Sequence, residues 1–123
     1  RSRRQRQMCI RDRSKGSPQE MNSCAKEEYK KAHDKLEKTY AALLKQIPNQ
    51  DQEDIPYVAT KKQLRVAQKA WSGFVEQDCK TISVYNKGSI MKDIENYSCL
   101  RLHTEQRISD LERFLSRRSK AKS

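Results

Sequence analysis

The sequence predicts an all-α fold: an elongated antiparallel hairpin of two long helices, with a shorter third helix packed on it and a disulfide as staple. Apolar and small residues recur three or four apart through most of the 123 residues. Only three glycines and three prolines punctuate them. The composition, 34% hydrophobic and 35% charged with a mean hydropathy of −1.10, suits thin helices that each bury one stripe. A chain of this length holds one small domain with one core.

The first helix is signalled by Ser17-Pro18-Gln19-Glu20, which places an N-cap serine, a proline at the first helical position and a glutamate three residues after the cap. Met21, Cys24, Ala25, Ala32, Leu36, Tyr40, Leu43, Leu44 and Ile47 follow on one stripe until Pro48 and Asn49 stop it. The polar stretch PNQDQEDI, residues 48–55, reads as a connection. A second helical pattern begins near Pro56 and runs through Leu64, Ala67, Trp71, Phe74, Val75, Asp78 and Ile82. Thr60 with Gln63 offers a competing start for it. Residues 85–98 contain Gly88 and no sustained period, so an ordered loop is expected there, followed by a third helix carrying Leu100, Thr104, Ile108, Leu111 and Leu115.

The net charge of +11 suggests a nucleic-acid binder until its distribution is read. Residues 1–13 hold six arginines and one aspartate, and Arg117, Arg118, Lys120 and Lys122 make the tail basic. The body from Ser14 to Ser116 carries 17 basic and 15 acidic residues and is nearly balanced. The tail has no interleaved aromatics on which bases would stack, so nucleic acid is not expected as a partner. No apolar run reaches the ~18 residues needed to span a bilayer. No pairing of nucleophile and base, no Gly-rich loop and no clustered ligands suggest catalysis, so neither an enzyme nor a cofactor is expected.

The four cysteines, Cys9, Cys24, Cys79 and Cys99, form no C-x-x-C, and His33 and His103 have no partner at a metal-like spacing. Disulfides are the better reading in so small a core. Cys79 near the end of the second helix and Cys99 at the start of the third are expected to pair and close the intervening loop. Closing about 20 residues contributes ~3 kcal/mol on the chain-entropy model.

Met21-Asn22-x-Cys24-Ala25, then Tyr29, Ala32, Leu36 and Tyr40, then Leu64-Arg65-x-Ala67-Gln68-x-x-Trp71, Cys79, Gly88-Ser89 and Cys99 with Thr104, Arg107 and Leu111 resemble the LprI-like lysozyme inhibitors, over roughly residues 18–115. His33, Glu37 and Phe74-Val75 depart from the family pattern but leave the helical stripes intact. The resemblance implies a secreted or periplasmic, non-enzymatic protein-binding module with two disulfides and a cleaved signal, whose partner is a lysozyme or another envelope protein. A structural or accessory envelope role is the alternative.

On that pattern the family's first cysteine falls near Asp12, where this chain has instead Cys9 within RRQRQMCIRD. Residues 3–12 coincide codon for codon with one frame of a common transposase-delivered sequencing adapter, CGT CGG CAG CGT CAG ATG TGT ATA AGA GAC. Residues 1–13 are therefore expected to be an adapter translation, residues 14–116 the domain, and residues 117–123 a basic flexible tail. Cys24 is then expected to have lost its native partner, with Cys9 as an accidental substitute.

Trp71 reads as core, and Asp78 with Arg107 as a structural ion pair across the second and third helices. Thr104 with Arg107 is the alternative, a polar network that orients the start of the third helix, and Tyr29 and Tyr40 are expected to bond Gln68 or that network across the helix interface. If the protein inhibits a lysozyme, occlusion of the sugar cleft is the expected physics. The candidate contacts are the acidic connection, Asp51, Glu53 and Asp54, and the loop around Lys87, Gly88, Ser89 and Asp93. The nearly neutral body offers little long-range steering toward a strongly cationic lysozyme.

Overall fold

The computed structural model describes the backbone of residues 17–122 and the side chains of residues 17–114. The arginine-rich head and Cys9 lie outside the described residues. The described residues form three helices, α1 (Pro18–Gln46), α2 (Tyr57–Tyr85) and α3 (Lys92–Lys122).

Local chemistry sets each boundary. The Ser17 hydroxyl accepts the Glu20 amide at 3.2 Å and Pro18 opens α1. Ile47 leaves the helix in extended geometry ahead of Pro48. Of the two possible starts for α2, the earlier one is adopted, and its cap comes from outside the helix: the Asp51 carboxylate accepts the Val58 amide at 3.0 Å. Thr60 instead turns its hydroxyl back to the Pro56 carbonyl at 2.7 Å.

The third helix is not the short one. It is 31 residues long, starts at Lys92 and continues through the segment read as a tail. The loop between α2 and α3 is correspondingly only 86–91. The start is early because Ile94 is buried to 1% exposure, while Asp93 and Glu95 sit in the first turn, where carboxylates favour the helix dipole. Tyr97, on the same element, packs against Tyr29. The sequence signal was masked by the polar run KDIEN, which holds a single apolar residue.

The fold is all-α with α1 and α2 antiparallel, as expected, but α3 is packed closely on both helices. Tyr29 of α1 meets Tyr97 near the start of α3, whereas Cys79 meets Cys99 and Gln68 meets Arg107. So α3 runs parallel to α1 and antiparallel to α2. The backbone of α3 comes close to both neighbours, closest to α1, while those of α1 and α2 stay apart. Small residues, Ala25 and Ala32, on the buried stripe of α1 permit that approach.

The apolar core lies toward the α1–α2 connection. Leu36, Leu43, Ile47, Leu64, Ile108 and Leu111 form it, with Tyr40, Leu44, Tyr57 and Trp71 against its edge. Trp71, read as core, is only half-buried. Toward the opposite end the buried residues are smaller, and the Cys79–Cys99 disulfide, with Cα atoms 5.6 Å apart, holds α2 to α3. Cys24 is also disulfide-bonded.

Candidate functional site

Two connections, one groove and the α2–α3 interface hold the residues singled out above. The 29 residues of α2 separate the two connections, a span of about 43 Å at 1.5 Å per residue. Asp51, Glu53 and Asp54 therefore lie at one end, and Lys87, Gly88, Ser89 and Asp93 at the other. No single small contact patch includes both sets.

The acidic end is built inward. Ile55 is buried and anchors the connection, while Gln52 and Ile55 exchange backbone hydrogen bonds of 3.3 and 2.7 Å. The two residues between them form the tip: Glu53 at φ 49° and Asp54 at φ 63°, a left-handed geometry that a glutamate rarely adopts. Lys61 ties the connection to α2 by donating to the Ile47 carbonyl at 3.2 Å and to Asn49 Oδ1 at 2.7 Å. Asp51 is occupied as the cap of α2. Glu53 and Asp54 are the exposed acidic residues at the tip of this end.

The opposite end is built outward. The Asn86 side chain caps α2 through the Ile82 carbonyl at 2.8 Å, Gly88 turns the chain at φ 83°, and the Ser89 hydroxyl accepts the Met91 amide at 3.0 Å. This frame displays large apolar side chains: Val84 is 66% exposed, Tyr85 87% and Ile90 74%. Lys87 is exposed between them. Sequence reasoning named Lys87, Gly88 and Ser89 but missed the apolar trio. The available signal was ISVYNKGSI, where Tyr85 and Ile90 flank a glycine turn off any helical stripe.

The polar residues of the α2–α3 interface sort differently from expectation. Asp78 pairs with His103 at 2.6 Å, not with Arg107. Arg107 donates through Nε to Gln68 Oε1 at 2.9 Å. The antiparallel register explains this: Cys79 lies opposite Cys99, which sets Asp78 beside the next turn at His103, and Arg107 falls one turn further along, within reach of Gln68. The His103 ring also meets Phe74 edge-on at 5.6 Å, the latter 58% exposed. Thr104 is buried and returns its hydroxyl to the Leu100 carbonyl at 2.7 Å.

Donor atoms of Cys79, Cys99 and His103 lie within 4.8 Å of one another, but the two sulfurs are committed to the disulfide. Among the described residues this triplet is not a thiolate site.

Between α1 and α2, floored by Leu100 and Thr104 of α3, runs a groove of about 850 Å³ that includes Tyr29, Tyr40, Gln68 and Trp71. Tyr29 packs on Tyr97 with ring centres 6.2 Å apart and on His33 at 5.9 Å. Burial, with a smaller contribution from Tyr97, pushes the Tyr29 phenol above its ordinary value of 10.0.

Comparison with known families adds what geometry alone does not. The family model described as lysozyme inhibitor LprI matches residues 9–111. The chain belongs to the LprI family. An uncharacterized protein of Rhizobium meliloti (strain 1021) is 27% identical over 103 residues, covering 80% of this chain and 74% of the relative. No solved structure matches the chain significantly. The LprI assignment makes the protein a lysozyme-inhibitor-like binding module, in a family of inhibitors and not of enzymes. The family is typically extracytoplasmic, and no described helix is long and apolar enough to cross a membrane.

Proposed function

We propose that this LprI protein is a secreted or periplasmic inhibitor that binds a lysozyme through the end formed by the α2–α3 loop and occludes its sugar cleft. The observation that carries this reading is the exposure of Val84, Tyr85 and Ile90 around Lys87 at one protruding turn. Monomer surfaces seldom cluster large apolar groups without use, and tyrosine is enriched among the residues that dominate binding.

Charge supports the same end. Glycosidases generally work with two carboxylates beside the scissile bond, so the floor of such a cleft is locally anionic. An ammonium at Lys87 is complementary to it. Glu53 and Asp54 would meet it with like charge, although they favour attraction to the cationic outer surface of many lysozymes. The disulfide tying α2 to α3 beside the loop reduces the entropy lost when the loop is fixed on a partner.

The test is a turbidimetric muramidase assay of the oxidised protein against lysozymes of several types. Saturable inhibition at micromolar protein is expected for at least one type. No inhibition of any type would leave the accessory envelope role as the better reading.

A further inference from the structure

The groove between α1 and α2 takes no part in the loop end described above, and its chemistry indicates a different ligand. We propose that it binds a carboxylate-bearing oligosaccharide. Sugars are amphipathic plates, with C–H faces that pack on aromatic rings and hydroxyl edges that need donors and acceptors. The groove alternates both kinds of surface: Tyr29 and Tyr40 on the α1 wall and Trp71 on the α2 wall are half-buried, so each ring keeps part of its surface open. From Tyr29 to Tyr40 the aromatic stretch covers about 16 Å of helix, which is long enough for more than one ring of a chain-like ligand. The volume of about 850 Å³ falls within the ordinary range of ligand clefts.

Hydrogen bonding is also pre-arranged. Gln68 lines the groove and its Oε1 is held by Arg107 at 2.9 Å, which fixes the amide plane and leaves the NH₂ as the group it offers to a ligand. A helix of a partner would need a continuous apolar strip instead. Here Gln68 and Ser72 interrupt the α2 wall on either side of Trp71.

Charge selects an anion. Arg65, Lys69 and Lys80 face Glu37 and Glu76 across and along the groove, and Glu37 already approaches His33 at 3.8 Å. Arg65 and Lys69 are exposed, one helical turn apart, and line the same groove as Trp71. A carboxylate on the sugar would be held there, while a neutral oligosaccharide would keep only the stacking.

Trp71 is the single tryptophan of the chain, so its emission reports on this groove without a label. The experiment titrates the oxidised protein with muramic-acid-containing fragments and, separately, with neutral N-acetylglucosamine oligomers and an amphipathic helical peptide. A saturable emission change is expected for the muramic-acid fragments, at least tenfold weaker for the neutral oligomers. The double variant Arg65→Glu, Lys69→Glu is expected to lose at least tenfold in affinity while keeping the thermal midpoint and the lysozyme inhibition of the parent. The proposal is overturned by no saturable change up to millimolar fragment, by equal response to neutral and anionic sugars, by response to the peptide alone, or by a double variant that binds as the parent does. Because inhibition is read separately, failure here leaves the loop-end reading standing, and the converse holds.

Discussion

The two ends of the molecule solve the same problem by opposite means. At the α1–α2 end, Leu43, Ile47, Ile55 and Leu64 are buried, and the connecting turn satisfies its backbone internally. At the α2–α3 end, the buried residues are mostly smaller, a disulfide holds the helices, and Tyr85 and Ile90 are left in solvent. The first end builds the apolar core, with Val58 and Phe114 left partly exposed at its surface. The second is fixed covalently, which leaves apolar groups available for a partner.

That contrast can be broken at several levels. Leu43→Ala removes a side chain with 5% exposure from the core cluster, and a loss of about 2–5 kcal/mol is expected in denaturant unfolding. The paired change Cys79→Ser, Cys99→Ser is expected to cost about 3 kcal/mol. Amide exchange separates the two: the disulfide variant should lose protection around residues 79–99 while α1 near Leu43 keeps its own, and Leu43→Ala should do the reverse. Equal loss at both ends would show that the ends are not distinct.

Smaller effects sharpen the same comparison at the turn. Asp51→Ala removes the external cap of α2 and is expected to cost about 1 kcal/mol. Glu53→Gly relieves a left-handed glutamate and should stabilise by up to about 1 kcal/mol in thermal or denaturant melts. Destabilisation by Glu53→Gly would mean that side-chain contacts of Glu53 outweigh the backbone strain.

The smallest expected effect is at Tyr29. Its phenol is raised above the ordinary tyrosine value in the folded chain, so the unfolded chain ionises first as pH rises. Stability from this group is complete below about pH 10 and is lost as pH climbs from the unfolded toward the folded value. Tyr29→Phe should flatten that part of the stability profile relative to the parent and leave neutral pH unchanged. An unchanged alkaline slope would contradict the burial argument.

How much of this was legible in the sequence follows from which forces act locally. The α1 start at Ser17-Pro18 and its stop at Pro48 were readable because caps and prolines act within a few residues. The start of α3 was not, because Lys92, Asp93, Glu95 and Asn96 hide one deeply buried Ile94, and only packing against α1 shows that the stretch is helical. The pairing of Cys79 with Cys99 followed from their placement beside one loop. Gln68, Thr104 and Arg107 were recognisable as polar groups on buried stripes, yet their partners depend on register between helices. A shift of one turn decides between Arg107 and His103 for Asp78.

The candidate binding end was half legible for the same reason. Glycine and serine in KGS mark a turn, and a lysine beside them is a visible charge. That Tyr85 and Ile90 remain uncovered is a tertiary fact: it requires knowing that the apolar core concentrates toward the α1–α2 connection. That the α1 and α2 backbones approach α3 more closely than each other, leaving the groove at Trp71, is likewise invisible to periodicity. A stripe shows that a face is apolar and not how closely its neighbour approaches.

The central claim is that the α2–α3 end, and not the acidic turn, meets the lysozyme. The most direct measurement compares muramidase inhibition by three forms: the parent, a Tyr85→Ala, Lys87→Glu variant, and a Glu53→Lys, Asp54→Lys variant. Residues that dominate an interface typically cost 2 kcal/mol or more on truncation, about a thirtyfold change in affinity. The loop-end variant is expected to lose at least tenfold in inhibition while the turn variant stays within threefold of the parent. Loss confined to the turn variant, with the loop-end variant inhibiting as the parent does, would contradict it.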